Sequence, residues 1–313
     1  MSLKSSNRSE NAGEDRGVQV GLTAMLVAVR DGNPVVLTIG EAAALPSGPL
    51  ESGHRSLQAG LRDWVEQQTG HPLGYIEQLY TFADRDRPSD EPGRRVSISY
   101  LGLTREEPSR AGASGSWRNW YEFFPWEDYR GGAPEVIGNT IVPALRLWAD
   151  AAGQEEKRGK RLQRAAISFG FDGRPWNEEL TLHRYELLYE AGLVEEAARR
   201  AGSKGGKFVP GRAMNGDYRR ILATGIARLR TKIKYRPVVF ELMPPAFTLL
   251  QLQRAVEALA GLTVHKQNFR RLIEQQDLVE ETGQMSSDTG GRPAKLFRFR
   301  HAVLDERPIA GTK

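Results

Sequence analysis

The sequence predicts an α+β protein: a strand-rich α/β/α layer at the N-terminus, a helical insert, and a C-terminal pair of helices closed by a β-hairpin. Three observations predict it. Short β-branched runs punctuated by turn residues surround one helical pattern up to about residue 127, and the rhythm then becomes helical. A helix, a tight turn, a second helix and a strand–loop–strand finally follow one another between residues 244 and 300. The length of 313 residues favours two domains with room for a further unit.

Met1 to Gly17 lack an apolar rhythm, so residues 1–18 are expected to be a disordered arm. Gly21 to Arg30 and Val35 to Ile39 flank the turn chemistry of Asp31-Gly-Asn-Pro34 and predict a hairpin. Leu57, Leu61, Trp64 and Val65 recur at helical spacing before Gly70, a suitable stop. Tyr75 to Phe82 and Val96 to Leu103 return as strands, and Trp117 to Pro125 reads as a third strand-like run. Residues 19–127 are thus expected to form one layer domain.

Helical periodicity takes over in the insert, residues 128–213, with Val136, Ile141, Leu145 and Trp148 on one face. A connecting helix is expected within 214–235, its buried side formed by Ile221, Leu222, Ile226 and Leu229. Between Arg199 and Arg236 almost every charge is positive, which reads either as a solvated basic face or as part of a polyanion-binding surface.

Pro244-Pro245 is expected to end a strand. Thr248 then caps a helix lined by Leu249, Leu252, Val256 and Leu259, and Gly261 stops it. The next helix, from about Lys266 to Gln276, is expected to bury Phe269, Leu272 and Ile273. It exposes Lys266, Gln267, Asn268, Arg270 and Arg271, side-chain types that reach phosphates and base edges in the major groove. In the hairpin, Gly290-Gly-Arg-Pro-Ala-Lys295 gives close backbone approach and offers Arg292 and Lys295, while Phe297 and Phe299 alternate with Arg298 and Arg300. Elements in this order make a winged helix-turn-helix that binds DNA, placed at residues 236–304 with a tail at 305–313. Taken singly, each of these residues also has an ordinary surface explanation.

Composition bounds the alternatives. Lys plus Arg total 44 against 39 Asp plus Glu, a net charge of +5, which permits a polyanionic partner. No cysteine occurs, so disulfides, thiol catalysis and cysteine-ligated zinc or iron–sulfur sites are excluded. Apolar runs such as Ala24 to Val29 fall far short of the roughly 20 residues of a membrane span, and a cytoplasmic location with no membrane partner is expected.

Leu45-Pro-Ser-Gly48 and Leu57 to Gly70 resemble a worn Nudix box, whose carboxylates gather divalent metal on a diphosphate. Anchored on Gly70, its Glu pair is replaced by Gln67-Gln68. Anchored on Arg62-Asp63, only Glu66 survives, beside Gln67. The upstream glutamate position holds His54 or Arg55. A neutral amide replaces an anionic metal ligand poorly, so no catalytic or metal-ligating residues and negligible pyrophosphohydrolase activity are expected. Glu77-Gln-Leu-Tyr-Thr-Phe82 and Arg94-Arg-Val-Ser-Ile-Ser-Tyr-Leu-Gly-Leu103 are similar to segments of ADP-ribose-type Nudix proteins. Tyr80 or Phe82 can stack on a base, and Arg85, Arg87 or Arg95 can pair with a phosphate.

Together the two ends resemble the NrtR family of Nudix-related regulators of NAD metabolism. The C-terminal fragments carry most of the resemblance: Asn215-Gly-Asp-Tyr-Arg-Arg-Ile-Leu-Ala223, Ala227-Arg-Leu-Arg230, Tyr235-Arg-Pro-Val-Val-Phe-Glu-Leu-Met-Pro-Pro-Ala-Phe-Thr-Leu249, Asn268-Phe-Arg-Arg271 and Gly291-Arg-Pro-Ala294. The insert departs from the family pattern and resembles a long-form alphaproteobacterial NAD regulator branch. The resemblance implies a homodimeric transcriptional repressor of NAD biosynthesis genes on a palindromic double-stranded DNA operator. It implies an effector, ADP-ribose or a related adenine nucleotide, and no required cofactor. The alternatives are an active Nudix hydrolase of ADP-ribose-like substrates with an accessory nucleic-acid-binding domain, and a DNA-binding protein whose N-terminal domain only dimerises.

Overall fold

The computed structural model describes residues 18–74, 76–83, 95–105, 115–203, 205–235, 238–286 and 293–300. The N-terminal arm, Arg85, Arg87, Arg292 and the C-terminal tail lie outside them, as does the side chain of Arg95.

Alternating apolar residues build the sheet. Strands β1 (Gln19–Arg30), β2 (Asn33–Ile39), β3 (Ser47–Pro49), β4 (Ile76–Phe82), β5 (Arg95–Leu103) and β6 (Gly115–Asn119) associate in the order β4-β5-β1-β2-β6, with β3 also on β1. β1 runs parallel to β5, and its other pairings are antiparallel. The Asp31 and Gly32 turn supplies the positive φ angles, 50° and 71°, that a tight hairpin requires.

Because strand side chains alternate, β1 feeds two cores. Leu22, Ala24 and Leu26 face α1 (Leu57–Thr69), packing with Leu61 and Val65. Met25 and Val27 face the opposite layer of helices. Ser56 caps α1 through its side chain, and Gly70 closes it in a left-handed conformation.

The aromatic run after β6 is not one long strand. The side chain of Asn119 accepts from the Tyr121 amide, ends the strand and starts a 3-10 turn, and Pro125 opens another. Trp120, Phe123, Phe124 and Trp126 are thereby turned inward and fully buried. The insert follows as a π-helical turn (Ile137–Ile141) and helices α2 (Val142–Asp150), α3 (Glu155–Phe169), α4 (Thr181–Glu190) and α5 (Glu195–Arg200). Of the face expected from spacing, Ile141 and Leu145 are fully buried and Val136 and Trp148 are partly buried. Connecting helix α6 (Tyr218–Tyr235) lies between the insert and the sheet, with Ile221, Leu222, Ile226 and Leu229 buried.

Val238–Leu242 form a 3-10 turn rather than the expected strand, and among the described residues of this segment only Phe247 pairs in β fashion, with Phe297. Helix α7 (Leu249–Ala260) starts at a capping box made by Thr248 and Gln251, and Gly261 ends it at a φ of 71°. Helix α8 (Lys266–Gln275) and the hairpin β7 (Val279–Ser286) and β8 (Ala294–Phe299) complete the unit. β7 runs on to Ser286 through an irregularity around Gly283. The underside of α7 contacts β1 and β2, so the same core continues from Met25 to Phe269 and Ile273.

Candidate nucleic-acid interface and sensor site

Helix α8 is strongly two-faced. Phe269 and Ile273 are buried, while Lys266, Gln267, Asn268, Arg270 and Arg271 are all exposed. Leu272, expected in the core, is 48% exposed; helical geometry sets it about 80° from the centre of the Phe269 and Ile273 stripe, on its edge. The cations of α8, Lys266, Arg270 and Arg271, have no side-chain partner among the described residues.

The wing differs. Phe247 and Phe240 pack on Phe299, at ring distances of 4.6 and 3.2 Å, which anchors β8 to the helical pair. Its outward charges are paired across the strands: Lys295 with Glu281 at 2.8 Å and Arg298 with Glu280 at 2.7 Å. Lys295 is exposed, yet a carboxylate already holds it.

Much of the basic run from Arg199 onward is taken up inside the fold. Arg219 and Arg230 are fully buried, Arg220 pairs with Glu186, Lys232 with Glu77, and Lys234 with Glu178 at 2.6 Å. Arg212 donates to the Glu41 carbonyl at 2.7 Å. Except for Arg212 these cations meet carboxylates, whereas Arg200, Lys207 and Arg228 stay exposed, so the run is broken up and is not one continuous polyanion-binding face.

At the Nudix-like corner, Gln68 makes both amide contacts with one residue. Its Nε2 donates to the Ser47 carbonyl at 2.9 Å and its Oε1 accepts from the Ser47 amide at 3.1 Å. A carboxylate at this position has no donor for the first contact. Glu66 and Gln67 are exposed, and His54 accepts from the Glu51 amide at 3.0 Å. Among the described residues no group of three or more His, Asp or Glu side chains is arranged to hold a metal ion.

Of the expected nucleotide-binding residues, Tyr80 is 55% exposed and leans on Phe82 at 4.8 Å. Phe82 is buried, and the guanidinium of Arg220 covers its ring at 4.7 Å. A separate cleft of about 550 Å³ opens between the β1–β2 turn and α7, lined in part by Asp31, Arg130, Met243, Arg254 and Glu257. Arg130 is already committed there, donating to Asp128, to the Gly32 carbonyl and to Asn33.

Sequence reasoning missed a buried charge cluster behind the helical pair. Glu127 is fully buried and accepts from Arg184 of α4, through Nε at 2.5 Å and Nη2 at 2.8 Å, and from Arg230 of α6. Burial pushes the Glu127 carboxyl up, but the two guanidiniums outweigh that and hold it below the usual carboxylate value. Burial likewise raises the neighbouring Tyr129 phenol to about 12. One signal was readable: Arg230 continues the helical stripe of Ile226, so it falls on a face that is otherwise apolar.

The comparisons converge on this geometry. A family model of the NrtR DNA-binding winged helix domain matches residues 239–299. The ADPR responsive transcriptional repressor NtrR of Acinetobacter baylyi is 42% identical over 83 residues, 26% of this chain. That match spans 33% of the relative's own length. Shewanella oneidensis NrtR, solved in complex with a 27mer DNA, superposes with a TM-score of 0.54 at 18% identity, covering 91% of this chain and 95% of that one. A MutT/nudix family protein from Enterococcus faecalis gives 0.53 at 16% identity, covering 96% and 90%. Residues 239–299 thus match the NrtR DNA-binding winged helix domain, and the chain as a whole shares the mixed α/β fold seen in NrtR.

Proposed function

We propose that the protein is a DNA-binding transcriptional repressor of NAD biosynthesis genes whose operator affinity is set by ADP-ribose or a related adenine nucleotide. The observation that carries it is the exposed, unpaired cationic face of α8 above a buried Phe269 and Ile273. Such a face contributes phosphate affinity through Lys266 and base-edge contacts through Gln267, Asn268, Arg270 and Arg271. Arg292 and Lys295 of the wing extend the contact. Two copies related by a two-fold axis would present their recognition helices about one helical turn apart, or a multiple, on a palindromic operator.

The effector site in this reading is the β4–β5 edge, with the exposed ring of Tyr80 stacking on the base, Phe82 supporting it from beneath, and Arg85, Arg87 and Arg95 taking the phosphates. The repressor named above is ADPR responsive, which supports this choice of ligand. Gln68 locked onto Ser47, in place of a metal-binding carboxylate, supports a sensor that binds without cleaving.

The test is a gel shift with the full chain on its own upstream region and on NAD-synthesis promoters, repeated with ADP-ribose, NAD and ATP. A specific shift that one of these nucleotides modulates is expected. No shift on any of these fragments removes the repressor reading, and magnesium-dependent cleavage of ADP-ribose by the same preparation favours the hydrolase.

A further inference from the structure

The last turn of α7 leads directly into the turn that launches the recognition helix, and groups outside the winged helix hold its carbonyls. The Tyr121 hydroxyl donates to Ala258 at 2.8 Å, Arg230 Nε donates to Leu259 at 3.1 Å, and the Tyr129 amide donates to Gly261 at 2.8 Å. Packing there is backbone against backbone: a Cβ added to Gly261 would lie 2.4 Å from the Glu127 carbonyl oxygen.

Arg230 is itself held by Glu127, whose carboxylate is shared with Arg184. Arg184 spends further donors on the carbonyls of Ser168 at 3.0 Å and Asn177 at 2.8 Å, so the insert fixes it in place. Its guanidinium also lies 3.8 Å from the Trp176 ring, which stacks on Tyr129. Thr181, from the start of α4, donates to Glu127 at 3.1 Å and accepts from Arg230 at 3.0 Å. With Glu127, Arg184 and Arg230 all buried, moving any one of them strips a charge of its partner, so the cluster tolerates one arrangement.

We propose that the helical insert is a bracket that fixes the orientation of the recognition helix against the sheet domain, acting through Arg184, Glu127 and Arg230. Arg184 is fully buried and out of reach of DNA, which makes it a positioning residue for operator binding. The inference rests on the DNA-binding reading above and gives the insert a role within it.

The experiment uses the full-length protein with Arg184→Met, Arg184→Lys, the milder Thr181→Val, and Lys160→Ala as a control on the exposed face of α3. Operator affinity is read by fluorescence anisotropy, and amide hydrogen exchange is followed across residues 256–275 and, as reference, across α1. Arg184→Met is expected to lower operator affinity about tenfold, a coupling of ordinary size. It should speed exchange at the α7–α8 turn while leaving α1 unchanged, with partial rescue by lysine and no effect of the control. Folded Arg184→Met with unchanged affinity and unchanged turn exchange overturns the bracket. Should Arg184→Met fail to fold, Thr181→Val decides by the same readouts. A wild-type protein that ignores DNA overturns the functional reading alone, since exchange at the turn still decides whether the insert holds the helix.

Discussion

Tyr121, just past the end of β6, donates its hydroxyl to the carbonyl of Ala258 in the last turn of α7, at 2.8 Å and in a buried setting. The sheet domain and the DNA-binding domain are thus joined by a hydrogen bond whose loss leaves a carbonyl without its partner. Tyr121→Phe is expected to cost about 1–3 kcal/mol, read as a lower urea midpoint with an unchanged slope. An unchanged midpoint would show that the two domains are coupled elsewhere.

Gly261 combines a left-handed backbone with a close approach to Glu127. Gly261→Ala meets both obstacles, and the strain and overpacking should lower stability by about 2–4 kcal/mol. Thermal unfolding checks it. A melting temperature within a degree or two of wild type would sink the claim that the domains touch backbone to backbone here.

Acid should unfold this protein through the buried cluster. Glu127, Asp128 and Glu178 all have carboxyls held below their ordinary values: burial acts to raise each, and neighbouring Arg or Lys groups outweigh it. The unfolded chain then takes up protons at higher pH than the folded chain. The stabilisation is therefore complete above the ordinary carboxylate range and drains away as pH falls through the depressed folded values. Denaturation midpoints measured at neutral pH and at steps down to about pH 3 should fall at the acid end. Glu127→Gln should lose about 3–5 kcal/mol at neutral pH and show a shallower acid dependence.

On the DNA-facing side, Arg271→Ala and Arg292→Ala are each expected to weaken operator binding by about 1–3 kcal/mol, the size of one lost base contact. Lys295 behaves differently because Glu281 already holds it. Glu281→Gln should release Lys295 and tighten binding at low salt, with the gain shrinking as salt rises. Unchanged gel shifts for both arginine variants would refute the docking scheme.

Tyr80 and Phe82 separate stacking from support. Tyr80→Ala should reduce ADP-ribose binding in calorimetry and leave the melting temperature near wild type, since the ring is 55% exposed. Phe82→Ala instead opens a cavity under β4 and should cost about 3–5 kcal/mol of stability. The opposite pattern would place the base elsewhere.

Most of the element order was readable from the chain. Leu61 and Val65 against Phe269 and Ile273 show why: period-2 and period-3.6 patterns are local, and so are the caps at Ser56, Thr248 and Gly261. Misreadings fell where a local pattern had two physical solutions. Trp117 to Pro125 has strand composition, but Asn119 accepting from Tyr121 bends it into buried 3-10 turns. Leu272 fits the α8 pattern by spacing, yet it sits on the edge of the Phe269 and Ile273 stripe and stays 48% exposed.

By itself the sequence determined most of the strands and helices, the helix–turn–helix order and the identity of the five polar residues along α8, because backbone propensity and apolar period act over a few residues. Only the tertiary structure decided which cations are free. Arg199 to Arg236 looks like one basic surface in the chain, yet Arg219 and Arg230 end up buried against Glu196 and Glu127 while Arg270 and Arg271 remain open to solvent. The physical reason is that a charge's partner is set by three-dimensional proximity: Glu127 is 103 residues from Arg230 in sequence and in direct contact with it in the fold.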